Sequence, residues 1–339
     1  MEKPTEPSQS ESSSEDKERR ERVLEHSIPG LFCLSYSHIG SSHIEQGKPN
    51  QDYSSIQSNS DTLFVAVADG LGSCAFSDVG SQLVASRITE KMRDSVSRSL
   101  SESVEMSKDR VLFKAGPLKL AVQHKSKEIV KHPLAKLDEQ TFKAAFIRAV
   151  EDVRSELSDL SSKKNLASTD ENKSDAGRAR NSKGAVTKGT KEDFASTCLF
   201  AMTDGKKVFC SHVGDGGIYI VCQTTSELIV EPTKGEALNE TIPVTHDEWK
   251  DYLKTKVFEV PPQALFLCLM TDGFAENISK NNPNLFFQRI VSEAKEKKRA
   301  DFVTWLAELN DYYESRGFSD DDKTATFIVL NSLFQEDLQ

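Results

Sequence analysis

The chain has 339 residues, a formal net charge of -10, and 37% hydrophobic and 28% charged residues. That length allows one large domain or two small ones, and two long polar stretches favour one. The acidic balance with no basic block excludes a nucleic-acid binder, and no apolar run approaches the ~18 residues of a membrane helix.

The N-terminal stretch Met1–Glu21 is charged and serine-rich with no apolar core. It reads as a disordered tail rather than a secretory signal, so a cytoplasmic protein is expected. Six cysteines form no CxxC pair, and four sit in apolar runs, as buried side chains in a reducing compartment would. The ordered domain is expected over residues 27–332, after a tail at 1–26 and before a C-terminal tail at 333–339.

The first strand is expected at Leu31–Ile39, followed by a polar loop, Gly40–Lys48, that contains His43. Pro49-Asn50-Gln51-Asp52 leads into a short strand around Tyr53–Ile56. Leu63–Ser73 then runs Leu-Phe-Val-Ala-Val-Ala-Asp-Gly-Leu-Gly-Ser, a buried strand that stops at Asp69-Gly70. Beyond it the hydrophobic period changes from two to 3.6, and Val79, Leu83, Val84, Ile88, Met92 and Val96 mark one face of a helix. Ser97–Lys108 is too polar to assign, and Val111–His132 is expected to be helical in part. Phe142, Phe146, Val150, Val153 and Leu157 line a second helix over Asp138–Leu160. Ser161–Lys191 lacks periodicity and reads as a disordered insertion.

Strands resume at Phe194–Thr203, Lys207–Val213, Gly217–Gln223 and Glu227–Val230. Asp204-Gly205 is a two-residue hairpin signal and is assigned to structure. Gly235–Val260 reads as irregular. Ala264–Met270 is a strand, helices follow at Leu285–Glu296 and Asp301–Ser315, and Ala325–Leu330 is the last strand. Clustered strands with helices inserted as pairs predict an α+β fold of antiparallel sheets with the helices outside.

Three of these strands end in Asp-Gly, at Asp69, Asp215 and Asp272. One such turn is ordinary punctuation. Three, with Asp52 and the Asp320-Asp321-Asp322 run just ahead of other strands, point to carboxylates converging at one sheet edge. Without cations such a group would repel itself and raise its own pKa values. All-oxygen donors suit Mg²⁺ or Mn²⁺ and not Zn²⁺. Two such ions bridged by one Asp and sharing a water would generate a hydroxide nucleophile for phosphoryl chemistry.

The order and local context of these segments resemble the type 2C metal-dependent Ser/Thr protein phosphatases, in particular their bacterial-type branch. The matching pieces are Asn50-Gln51-Asp52, Val67-Ala68-Asp69-Gly70-Leu71-Gly72, Ala195-Ser196-Thr197, Val213-Gly214-Asp215-Gly216, Met270-Thr271-Asp272-Gly273-Phe274 and Asp321-Asp322-Lys323-Thr324. His43 and Asn239-Glu240-Thr241 carry the bacterial-type likeness. The resemblance implies a sandwich of two antiparallel β-sheets flanked by helix pairs, and hydrolysis of phosphoserine and phosphothreonine with Mg²⁺ or Mn²⁺.

Position by position, it implies that Asp69 bridges both ions and that Gly70 lends its carbonyl. Asp272 and Asp321 would complete one ion, and Asp52 would hold a coordinated water. Asp215 with Asp272 would hold a third, weaker ion. It also implies phosphoprotein substrates from a Ser/Thr kinase pathway and a monomeric enzyme. Three departures stand out: Gln51 replaces a Glu, Leu71 replaces a His, and the arginine that grips the substrate phosphate has no counterpart between Arg22 and Arg87. Lys48 or His43 would have to take that role. The alternative is a catalytically weak or inactive phosphatase-like binding module.

Overall fold

The computed structural model describes residues 21–112, 133–174, 189–233, 241–275, 278, 282–331 and 333–334. A hairpin of β1 (Glu21–Ile28) and β2 (Leu31–His38) comes first, followed by the short helix α1 (Ser41–Gln46) and a second hairpin of β3 (Asp52–Ser58) and β4 (Leu63–Asp69). Two long helices, α2 (Ser77–Leu112) and α3 (Glu139–Ser174), precede β5 (Cys198–Thr203), β6 (Lys207–Val213), β7 (Gly217–Cys222) and β8 (Ser226–Val230). The one-turn helix α4 (Trp249–Tyr252) leads into β9 (Lys254–Glu259) and β10 (Ala264–Met270). The chain closes with α5 (Asp272–Ala275), α6 (Pro283–Glu296), α7 (Arg299–Ser315) and β11 (Lys323–Val329).

Every pairing is antiparallel. One sheet runs β1-β2-β11-β10-β7-β8 and the other β3-β4-β5-β6-β9. The sheets pack face to face through Cys33, Val65, Val67, Leu199, Cys210, Leu267 and Ile328. Phe64, Ala66, Phe200 and Phe209 point the other way, onto Ile88 and Met92 of α2 and Phe142 and Phe146 of α3. On the far side, Tyr36, Phe266 and Phe327 meet Phe287 of α6 and Phe302 and Trp305 of α7. The result is a four-layer α+β sandwich. The layering explains why β4 is an unbroken apolar run: it is covered on both faces, so alternation disappears.

Several boundaries differ from the sequence reading, each for a physical reason. The tail expected over 1–26 gives way to β1 at Glu21, whose inner positions include Arg22 and His26 as well as Leu24 and Ile28. Arg22 stacks on the Tyr53 ring at 3.8 Å and His26 bonds Ser58 at 2.7 Å, so polar side chains stand where an apolar alternation would have shown. The insertion expected at 161–191 begins as helix instead: α3 runs on to Ser174 through a stretch free of Gly and Pro. Ser161 is buried, with its hydroxyl on the Gly189 carbonyl at 2.6 Å. Helix α2 likewise covers Ser97–Lys108.

The irregular stretch 235–260 contains β9, in which charged lysines obscure the alternation. The C-terminal tail expected from 333 is anchored, because Leu333 and Phe334 are buried against Phe302. Residues 113–132, 175–188 and 234–240, the last including Asn239-Glu240, lie outside the described residues. Asp204 sits where the sequence put it, in the β5–β6 turn, accepting from the backbone N–H of Lys206 and Lys207 at 3.0 Å each.

Candidate metal centre

Strand register gathers the carboxylates at one end of the sandwich. Asp52 and Asp69 face each other across β3 and β4. In the other sheet, Met270 pairs with both Gly217 and Ala325, which sets Asp272 between Asp215 and the Asp321-Asp322 loop. Carboxylate oxygens of Asp69, Asp215 and Asp272 lie within 4.8 Å of one another. The remote positions 69, 215 and 272 therefore form one site because their strands all stop at the same rim.

Glycine is required at the rim for approach. A Cβ on Gly70 would meet the Ser77 carbonyl at 2.6 Å, and one on Gly273 would meet the Asp322 carbonyl oxygen at 2.1 Å. These glycines let β4 and β10 turn against neighbouring backbone while carrying Asp69 and Asp272. The Asp69 backbone is pinned from β5: its N–H donates to the Thr197 hydroxyl at 2.9 Å, and its carbonyl accepts from the Thr197 N–H at 2.8 Å.

Asp52 is buried, with its Oδ2 accepting from the Thr271 hydroxyl at 2.7 Å. Its Oδ1 has no partner among the described residues, and neither do Asp215 Oδ1 and Gln51 Oε1, all of them buried acceptors. The other oxygen of Asp215 accepts from Thr241. Burial raises the Asp52 carboxyl well above the usual range, with the Asp322 charge adding to it. The Asp69 carboxyl is also raised, first by burial and then by Asp52, Asp272 and Asp215. Burial and Asp215 push Asp272 up to about 6. Mutually repelling acids and orphaned oxygens, with no thiolate or free imidazole among them, fit a hard divalent cation. Asp69, Asp215 and Asp272 could hold such ions, with Asp321 beside Asp272 and the Gly70 carbonyl at the β4 turn.

The two cations expected to grip phosphate separate. His43 is no surface group: it is buried in α1, with Nδ1 on Asp322 Oδ2 at 2.8 Å. Asp322 also accepts from the N–H of Gly40 at 2.7 Å and of Gln51 at 2.5 Å. Through Asp322, His43 thus braces the loop that holds Gln51 and Asp52. Lys48 remains at the rim, its Nζ 3.5 Å from the Gly72 carbonyl. Arg22 is an unanticipated neighbour. It shares a cavity of about 240 Å³ with Asn50, Asp52, Tyr53 and Asp78. No spacing rule reveals it, because Arg22 of one sheet meets Asp52 of the other only where the two sheets pack together, across 30 residues of chain, and not through a local motif.

Lys323 belongs to the last of the sequence motifs, and it is fully buried. Its ammonium donates to Glu314 Oε1 at 2.8 Å and to the Asp321 carbonyl at 2.8 Å, tying α7 to the acidic loop. Removing the cation leaves the Glu314 carboxylate, 16% exposed, without its ammonium and facing the His38 ring at 4.0 Å. Lys323→Met is expected to lower unfolding stability by about 3 kcal/mol in denaturant melts. Adding Glu314→Leu should restore most of that loss, since no buried charge is then left unpaired. An unchanged melt for Lys323→Met would show that the pair is not held as described.

Fold and rim together define a class: an antiparallel αββα sandwich with a cluster of carboxylates at one end that could hold a metal ion. A family model described as Protein phosphatase 2C matches residues 39–309, and the chain belongs to that family. A comparison with curated proteins found no sequence match. Among solved structures, serine-threonine phosphatase 2C from Toxoplasma gondii is similar at 15% identity and TM-score 0.57, covering 91% of this chain and 98% of that one. Serine/threonine phosphatase Stp1 from Staphylococcus aureus is similar at 14% identity and TM-score 0.52, covering 92% and 99%. A bacterial serine phosphatase is similar at 15% identity and TM-score 0.51, covering 88% and 98%. These likenesses concern the fold, the sandwich of two antiparallel sheets flanked by helices that the sequence predicts. Among the described residues, no helix is long and apolar enough to cross a membrane.

Proposed function

We propose that the chain is a Mg²⁺- or Mn²⁺-dependent phosphatase that hydrolyses phosphoserine and phosphothreonine in proteins. The observation that carries this reading is the convergence of Asp69, Asp215 and Asp272 within 4.8 Å beside three orphaned buried acceptors. Asp69, Gly70, Asp215, Asp272 and Asp321 would hold two ions and a weaker third. When bound, the ions supply Lewis acidity to the phosphoryl oxygens and activate water.

The chain's own residues position the reactants. Asp52 is fixed by Thr271, and its unpartnered Oδ1 is the acceptor that would orient a water for in-line attack. The new bond joins that water oxygen to phosphorus, and the bond to the seryl or threonyl oxygen breaks. Lys48, at the rim, and Arg22, in the cavity it shares with Asp52, would hold the phosphate. Leu71 offers no proton, so the departing oxygen takes its proton from solvent. Substrates would be phosphoproteins from a Ser/Thr kinase pathway, met by a monomer in the cytoplasm.

The test is turnover of a phosphothreonine peptide and an aryl phosphate with Mn²⁺. Both should be hydrolysed, activity should vanish with chelator, and it should return when Mn²⁺ is restored. Turnover that survives thorough metal removal would contradict the mechanism. Lys48→Ala and Arg22→Ala should each raise the peptide KM by roughly tenfold, the loss of one charge-assisted contact to phosphate. A second reading, a phosphatase-like binding module, draws on the neutral Gln51 and on Leu71. It predicts no Mn²⁺ binding in calorimetry.

A further inference from the structure

We propose that a basic groove between the open edges of the two sheets binds acidic residues flanking the phosphorylated residue of a polypeptide substrate. The inference rests on the phosphatase reading and adds the substrate class. β8 is the last strand of one sheet and β9 the last strand of the other. Between them lies a groove of about 490 Å³, floored by Val230 and Leu253 and lined by Lys143, Lys254, Lys256 and Glu231.

Register places this groove at the catalytic end. Val230 pairs with Ile218 and Lys254 with His212, while Gly214-Asp215 joins the adjoining ends of β6 and β7. The Thr233 N–H donates to the Gly214 carbonyl at 2.6 Å, and the Thr233 hydroxyl donates to the Tyr252 carbonyl at 3.2 Å. The strand ends that form the groove are therefore tied directly to the turn that carries Asp215. A peptide with its phosphorylated residue at the carboxylate rim can continue into the groove without crossing the body of the sandwich.

Charge decides what fits. Three lysines stand together on a chain whose net charge is -10. Among the described residues, Lys254 Nζ donates to the carbonyls of Glu231 and Pro232, at 3.3 Å each, and Lys256 is 3.9 Å from Glu227. Glu231, Glu227 and Glu139, the last 3.4 Å from the Thr255 hydroxyl, are the carboxylates nearby. Lys143 is exposed on α3, with no ion pair among the described residues. Among the described residues β9 pairs only with β6, so its outer edge can also accept an extended chain by backbone hydrogen bonds. An extended acidic segment satisfies both features, since its backbone meets the edge while its carboxylates meet the lysines.

The experiment uses two fluorescent phosphothreonine peptides of equal length, one with Asp/Glu flanks and one with Ser/Gln flanks. Binding is measured by anisotropy with the full chain in chelator, so no turnover occurs. The acidic peptide should bind roughly tenfold more tightly, and added salt should erase the difference. In Lys143→Ala/Lys256→Ala the ratio should fall by roughly threefold or more, because two of the three lysine charges are gone. Equal affinities in the parent, or a ratio unchanged in the double variant, would overturn the proposal. So would a salt-resistant dimer that the double variant abolishes, since a second copy would then be the occupant. Aryl phosphate turnover by the parent with Mn²⁺ tests the phosphatase reading separately and does not involve the groove.

Discussion

Asp69→Asn is expected to reduce Mn²⁺-dependent turnover of a phosphothreonine peptide by roughly a thousandfold or more, ~4 kcal/mol in the barrier. Asp69 stands at the centre of the rim, opposite Asp52 and beside Asp215 and Asp272. Its loss would remove charge from both of the ions it is proposed to bridge. Asp215→Asn should do less, because Asp215 lies to one side, with one oxygen already accepting from Thr241. Asp204→Asn should leave turnover near the parent value. Its carboxylate only caps the turn at the far end of β5 and β6, and Asn-Gly serves there equally. All three replacements are nearly isosteric, so the comparison isolates charge. Equal activity of Asp69→Asn and Asp204→Asn would remove β4 from the mechanism.

Metal removal is expected to invert the pH dependence of stability. The Asp272 carboxyl titrates at about 6 in the folded protein, and Asp52 and Asp69 are also raised. In the unfolded chain an aspartate titrates near ~3.9. Between those values the folded state holds more protons than the unfolded state, so the stability of the metal-free protein falls as pH rises. This contribution is fully present at low pH and is lost as pH passes through the folded pKa values. Metal-free protein should therefore melt lower at about pH 8 than at about pH 5, and Asp272→Asn should flatten that slope. Saturating Mn²⁺ takes up the same carboxylates in ionised form, and at a hundredfold excess over Kd should add ~2.7 kcal/mol, roughly 5–10 °C in Tm. A metal-free Tm that rises steadily from about pH 5 to about pH 8 would show that the carboxylates are not crowded as described.

The centre of this site was legible because its physics is local. A buried strand covered on both faces must be apolar throughout, and its abrupt end at Asp-Gly marks where the chain meets the rim. Asp69 and Asp272 could be found from that contrast alone. The supporting residues could not, because their roles come from pairing between distant segments. Thr271 meets Asp52 and Lys323 meets Glu314 only after the strands align.

His43 misled for the opposite reason. A histidine in a polar stretch reads as solvated, whereas the short helix α1 turns it inward onto Asp322. β1 and β9 were hidden by their own charges: Arg22, His26, Lys254 and Lys256 occupy edge strands, where one side of the backbone and many side chains remain accessible. Edge strands tolerate such residues and benefit from them, so the pattern that reveals a central strand is absent there.

The most direct test of the central claim is a calorimetric titration of the metal-free chain with Mn²⁺, run in parallel on the parent and on Asp69→Asn. The account predicts that the parent binds more than one ion per chain and that Asp69→Asn loses the tight binding while keeping its fold. Binding by Asp69→Asn that matches the parent in affinity and number would contradict it.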